Sequence, residues 1–145
     1  MYLGTYQIIL GKDRQLVIPE SLRGLFCEGA YVTRGFEQNL LIMSDGVFRE
    51  IYKRVVSLNI ADPLARLLLR LILGNASMME LDPSGNVILP QELISFANLE
   101  NGITLVGQGD YLEVWSPVNW EKQTTNLMDT EANSERFAQL DLALH

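Results

Sequence analysis

Two stretches of this 145-residue chain gather polar side chains on what read as turns: LGKDRQLVIP, Leu10 to Pro19, and LDPSGNVILP, Leu81 to Pro90. Each is a leucine, a polar turn, three apolar residues and a proline. The first turn carries Lys12, Arg14 and Gln15, and the second carries Asn86. Lysine and arginine displace phosphate counterions, and the arginine fork pairs with guanine; glutamine and asparagine pair in bidentate fashion with adenine but bring no charge. The chemistry on offer is therefore recognition. The plainer reading of the same residues is a solvated turn that permits the hairpin.

Catalysis lacks its usual parts. The only histidine is His145, no Gly-x-Ser-x-Gly or phosphate-binding glycine loop occurs, and Gly107, Gly109 and Asp110 read as a hairpin turn rather than the opening of a helix. Glu80 and Asp82 are neighbouring carboxylates with no second catalytic group set beside them. Cys27 is the sole cysteine, which excludes an internal disulfide or a multi-cysteine zinc site; it reads as a semi-buried helix residue. No enzyme, cofactor or metal site is expected.

The turns must be held by the elements around them, and those elements repeat. A shift of 71 sets Leu10 on Leu81, Leu16 on Val87, Ile18 on Leu89, Pro19 on Pro90 and Leu22 on Leu93; a shift of 72 sets Gly35 on Gly107, Leu40 on Leu112, Ile42 on Val114 and Phe48 on Trp120. Each copy reads as an extended segment, a polar turn, a short strand, a proline-led helix (Glu20 to Phe26; Gln91 to Ala97) and two more strands. The latter run Ala30 to Arg34 and Asn39 to Met43 in the first copy, and Ile103 to Val106 and Tyr111 to Trp115 in the second. Neither copy has enough residues for a core of its own, so pairing between copies, within one chain or between chains, is expected. Trp115 and Trp120 read as core, and Arg34 as a partly buried structural residue.

Between the copies lies DPLARLLLRLILG, where Asp62 suits a helix N-cap, Pro63 the first helical position and Gly74 the stop. Leu64, Leu67, Leu68 and Leu71 cover most of that helix, leaving Arg66 and Arg70 as its polar stripe. Such a helix predicts core or subunit contact; it is too short and too interrupted for a membrane span. A second helix is predicted from Val47 to Leu58. With nearly half its residues apolar and no signal-peptide pattern, the chain is expected to be soluble and cytoplasmic.

MYLGTY, the doubled strand-proline phrase, YVTRGFEQNLLIM, ADPLARLLLRLILGNA and LVGQGDYLEVWSPVNWE together resemble the MraZ family of bacterial transcriptional regulators, from Met1 to about Glu121. The resemblance implies an α+β, mainly β fold: a tandem double swapped-hairpin β-barrel of the AbrB/SpoVT type with flanking helices. It divides the chain into a first module with connecting helices (1–73), a second module (74–121) and a polar C-terminal tail (122–145). It further implies ring-like homo-oligomers with Leu64, Leu67, Leu68 and Leu71 at the interface, nucleoid association, and binding to repeated short DNA elements upstream of the division and cell-wall gene cluster. The DNA-facing residues would be Lys12, Arg14, Gln15 and Asn86.

The family turn runs Asp-x-x-Gly-Arg before the strand and proline, and both copies depart from it. Gly11, Arg14 and Gln15 stand at the aspartate, glycine and arginine positions of the first; the second keeps Asp82 and Gly85 but has Asn86 for the arginine. Charge is also lopsided: residues 1–74 carry nine Lys/Arg against seven Asp/Glu, and residues 75–145 two against eleven. DNA contact is accordingly expected mainly from the first copy, with Lys12, Arg14 and Arg23 compensating there. The alternative is a degenerate oligomer with weak or no DNA binding that serves as a structural or interaction partner.

Overall fold

A computed structural model describes residues 1–140, so His145 and the end of the expected tail lie outside the described residues. The strands are β1 (Thr5–Ile9), β2 (Gln15–Val17), β3 (Ala30–Arg34), β4 (Leu40–Ser44), β5 (Ser77–Met79), β6 (Asn86–Ile88), β7 (Gly102–Gly107) and β8 (Tyr111–Trp115). The α-helices are α1 (Asp45–Val56), α2 (Pro63–Ile72), α3 (Gln91–Phe96), α4 (Pro117–Met128) and α5 (Thr130–Ala138), and a 3-10 helix spans Glu20–Phe26.

Each copy completes its sheet with a strand from the other. The first strand of the first copy, β1, pairs antiparallel with β7, placing Tyr6 opposite Leu105 and Ile8 opposite Ile103; its equivalent in the second copy, β5, pairs with β3, placing Tyr31 opposite Met78. The hairpins β3–β4 and β7–β8 join through β4 and β8, with Ile42 opposite Leu112. The resulting six-stranded order, β1-β7-β8-β4-β3-β5, reads the same from either end when each strand is exchanged for its repeat equivalent. β2 and β6 pair only with each other, as a separate two-stranded ribbon.

The alternation of strand residues determines where the core lies. Val32, Leu40, Ile42, Ile103, Leu105, Leu112 and Val114 point to one side and meet Leu16, Ile18, Val87 and Leu89 from the ribbon, all at 0–1% exposure in one cluster. Burying a leucine or isoleucine of this kind contributes about 1.5–3 kcal/mol, and both copies supply the set, five residues from the first and six from the second. On the opposite side of the sheet a smaller cluster of Leu41, Met43, Phe48 and Ile72 holds α1 and α2 in place.

The helices begin where local chemistry predicts. The Asp62 carboxylate accepts the Leu64 N–H (2.9 Å) to start α2 with Pro63 in its first turn. Ser44 accepts the Val47 N–H (3.3 Å) to start α1, and Ser116 accepts the Asn119 N–H (3.1 Å) to start α4. These serines are equivalent under the shift of 72, so the repeat continues through α4, beyond where it is visible in residue identity.

Four expectations are corrected. Among the described residues helices hold more residues than strands, so the chain is α+β but not mainly β. The strands do not close into a hydrogen-bonded barrel: β1 and β5 remain sheet edges, and only an isolated Leu10–Leu16 bridge links the end of β1 to β2, because β2, β5 and β6 have three residues each. Cys27 is exposed at the end of the 3-10 helix rather than semi-buried within it. Trp115 is buried, whereas Trp120 is only half-buried and lies against it with ring centroids 5.8 Å apart. Arg34 is half-buried, as expected, with its guanidinium 4.1 Å from the centre of the Phe96 ring.

Candidate nucleic-acid interface

The ribbon brings the two turns into one surface. Antiparallel pairing sets Gln15 opposite Ile88, Leu16 opposite Val87 and Val17 opposite Asn86. Leu16 and Val87 enter the core, so period-two alternation turns the other four residues outward. Val17 and Ile88 are 58% and 53% exposed, and Gln15 and Asn86 are half-buried. The two amides occupy diagonal corners and the two aliphatic side chains the other diagonal, an arrangement that the repeat's two-fold relation exchanges with itself.

The turns at the ribbon's two ends differ. In the second, one oxygen of Asp82 accepts the N–H groups of Ser84 (2.9 Å) and Asn86 (2.8 Å), and the N–H of Gly85 donates to the Asp82 carbonyl (3.0 Å). The Asn86 N–H is the main cause that holds this carboxyl below the usual aspartate range. Gly85 sits at φ +86°, the left-handed region where glycine is unstrained. In the first, Gly11 has no carboxylate to organise the loop, and two non-glycine residues, Asp13 (φ 58°) and Arg14 (φ 62°), take left-handed conformations. Each costs about 1–2 kcal/mol, less for aspartate.

An arginine docks at each end. At the first, Arg14 donates from Nη1 to the Leu89 carbonyl (3.4 Å); at the second, Arg23 donates from Nε to the Ile18 carbonyl (2.9 Å). Ile18 and Leu89 are repeat equivalents, so two guanidinium groups occupy related places although they come from unrelated sequence positions. Arg23 fills the space beside Gly85, where a Cβ would meet its guanidinium carbon at 2.7 Å. By sequence position alone Arg23 belongs with the first turn, and the second turn has no cation. Strand exchange carries it across: the Ile18 N–H bonds to the Gly85 carbonyl (2.9 Å), so the helix that follows β2 lies over the second turn. A hint is present in the sequence, since the copy with glycine at the turn lacks the helix arginine and the copy with arginine there is the one whose partner turn has glycine. That hint becomes readable only once the pairing is known. Among the described residues the ion pairs are Arg49–Asp45 and Lys53–Glu50, and neither engages Lys12, Arg14 or Arg23.

The leucines of α2 lie on a different surface. Leu64 and Leu67 are 70% and 60% exposed and, with Phe36, Leu68 and Leu71, line an apolar groove of ≈ 510 Å³. Leu68 also packs against the Leu41–Met43–Phe48–Ile72 cluster.

A second asymmetry between the copies lies on the outer face of the sheet. Leu41 and Glu113 are equivalents and directly opposed on β4 and β8. The Glu113 carboxylate accepts hydrogen bonds from Trp115 Nε1, Asn39 Nδ2 and Gln108 Nε2, each at 3.2 Å. Burial pushes its pKa up, Glu37 pushes the same way, and the Trp115 and Asn39 donors oppose them. The folded state therefore retains this proton above the ordinary carboxylate range, so stability falls as pH rises through the window between the unfolded and folded values. Glu113→Gln is expected to abolish that fall and to raise the unfolding temperature at neutral pH by a few degrees, measured by circular dichroism melts between about pH 4 and 8. An unchanged pH profile in the variant would contradict this account of the site.

Among the described residues no helix is long and apolar enough to cross a membrane, and no three His, Cys, Asp or Glu side chains gather as a metal site. Comparison with known proteins matches residues 72–141 to the family described as "MraZ protein, putative antitoxin-like". The chain is 36% identical to the "Transcriptional regulator MraZ" of Herpetosiphon aurantiacus across 89% of this chain and 90% of that protein. It is 34% identical to the protein of the same name from Roseiflexus castenholzii across 96% and 95% of the two chains, and 34% identical to that of Thermomicrobium roseum across 85% and 87%.

Proposed function

The chain belongs to the MraZ family, and on that premise we propose that it is a DNA-binding transcriptional regulator whose contact surface is the β2–β6 ribbon with its two end turns. The observation that carries the reading is the guanidinium at each ribbon end, Arg14 on Leu89 and Arg23 on Ile18, flanking outward amides. Lys12 is exposed on the first turn and adds to the charge there. The exchange of β1 and β5 between copies supports a double module of the swapped-hairpin type. The apolar groove on α2 supports self-assembly into a ring, with Leu64 and Leu67 as the contact. A ring would present several ribbons at fixed spacing to repeated short elements upstream of the division and cell-wall genes, in the cytoplasm at the nucleoid.

The test is an anisotropy titration of the full chain against DNA from upstream of its own gene, beside scrambled DNA, at two salt concentrations. Repeat-dependent binding that weakens with salt, by about 0.9 log units per phosphate neutralised for each log unit of salt, is the expected result. The loss of the family arginine at both Gln15 and Asn86 favours a second reading, an oligomer that no longer contacts DNA directly. Absence of binding by the native chain, with binding gained in Gln15→Arg, would select it.

A further inference from the structure

Resting on the reading of the ribbon as the DNA contact, we propose that this chain selects A·T base pairs in the major groove, with Gln15 and Asn86 pairing to adenine and Val17 and Ile88 packing on thymine methyl groups. The ribbon has the right form: two antiparallel strands fit the width of the major groove, and no third strand pairs to either side of them. Its outward face holds two amides and two branched aliphatic side chains and no charged side chain. A carboxamide presents one donor and one acceptor, which match the N6 amino group and N7 of adenine; against guanine, whose N7 and O6 are both acceptors, the amide oxygen is left facing an acceptor. In the major groove a thymine carries a methyl group that an exposed valine or isoleucine can cover, whereas cytosine offers an amino group that the same side chain would strip of water.

Register adds a spacing. Gln15 and Asn86 are diagonal neighbours across the ribbon, a separation of about 7–8 Å, which spans about two base-pair steps at 3.4 Å per step. Each amide has an aliphatic neighbour directly opposite it, Ile88 for Gln15 and Val17 for Asn86. The two-fold relation sends one amide to each DNA strand, so the preferred core is a short, approximately palindromic A·T segment. The arginines stand at the ribbon ends, anchored to the Leu89 and Ile18 carbonyls, where the groove walls and their phosphates would lie; they supply affinity and orientation without reading the core bases.

The experiment uses the native full-length chain and synthetic duplexes of one length with identical flanks, read by anisotropy at fixed salt. A core of A·T pairs is expected to bind about tenfold more tightly than a core of G·C pairs. Replacing the core adenines with 7-deazaadenine, which lacks N7, should erase most of that advantage, and replacing the core thymines with deoxyuridine, which lacks the methyl group, should weaken binding several-fold. Because the changes are in the DNA, protein folding is not at issue. The paired variant Gln15→Ala with Asn86→Ala should lose the part of the A·T preference that 7-deazaadenine removes, keep the several-fold part that the thymine methyl groups supply, and keep its salt dependence. Equal or stronger binding to the G·C core overturns the proposal while leaving DNA contact by the ribbon standing. An A·T preference that survives both base analogues also overturns it, since the discrimination would then come from the minor groove or from duplex shape. No binding to any duplex overturns the DNA reading of the ribbon and this inference with it.

Discussion

Alanine at both Arg14 and Arg23 is expected to lower DNA affinity about a hundredfold, roughly tenfold for each guanidinium removed, and to flatten the salt dependence. The two single variants should behave alike, because the guanidinium groups occupy equivalent ends of one ribbon even though one residue lies on a turn and the other on a helix. Arg14→Gly separates binding from stability. Arg14 sits at φ 62°, so glycine should relieve about 1 kcal/mol of strain and raise the melting temperature while DNA binding falls. Anisotropy titrations paired with thermal melts decide the matter. If Arg23→Ala binds DNA as the native chain does, with its fold intact, the second ribbon end has no part in recognition.

The second large effect concerns assembly. Leu67→Asp is expected to reduce the proposed oligomer to monomers, read as mass by light scattering on size exclusion, because a carboxylate placed in the apolar groove of α2 would lose water without gaining a partner. The monomer should remain folded, since Leu67 is exposed on the isolated chain and does not belong to either core cluster. Leu68→Asp makes a poorer probe: that side chain packs on the Phe48 and Ile72 cluster, and its charge should loosen α2 from the sheet as well. With assembly lost, affinity for multiply repeated DNA should drop by about 10²–10⁴ through lost multivalency, while affinity for a single element changes little. A native chain that is already monomeric at micromolar concentration would rule out both halves of this prediction.

Much of the local structure is written in a few adjacent residues. Asp62 and Pro63 start α2 because a carboxylate can reach the N–H two residues on and proline is compatible with a first helical turn. The Asp82 to Gly85 turn follows from one carboxylate and one residue free to take positive φ. The matched strands, the buried set Leu16, Ile18, Val87 and Leu89, and the outward Gln15 and Asn86 follow from alternation and the repeat. The family was legible in the ordered motifs for the same reason. α4 was not, although Ser116 and Pro117 offer the same kind of start as Asp62 and Pro63, because none of its residues is buried and no apolar stripe marks its length. What only the tertiary structure decided is which groups stand across from one another. Gln7 meets Thr104, 97 positions away, and Arg23 serves the turn of the copy it does not belong to. Glu113 is drawn into a partly buried, hydrogen-bonded position by a strand pairing with Leu41 that nothing beside it in the chain specifies. Caps, turns and alternation act over one to five residues through φ, ψ and a single hydrogen bond. The exchange of β1 and β5 is a choice among long-range pairings, and it is settled by the one arrangement in which two half-cores, each too small alone, bury their apolar faces together.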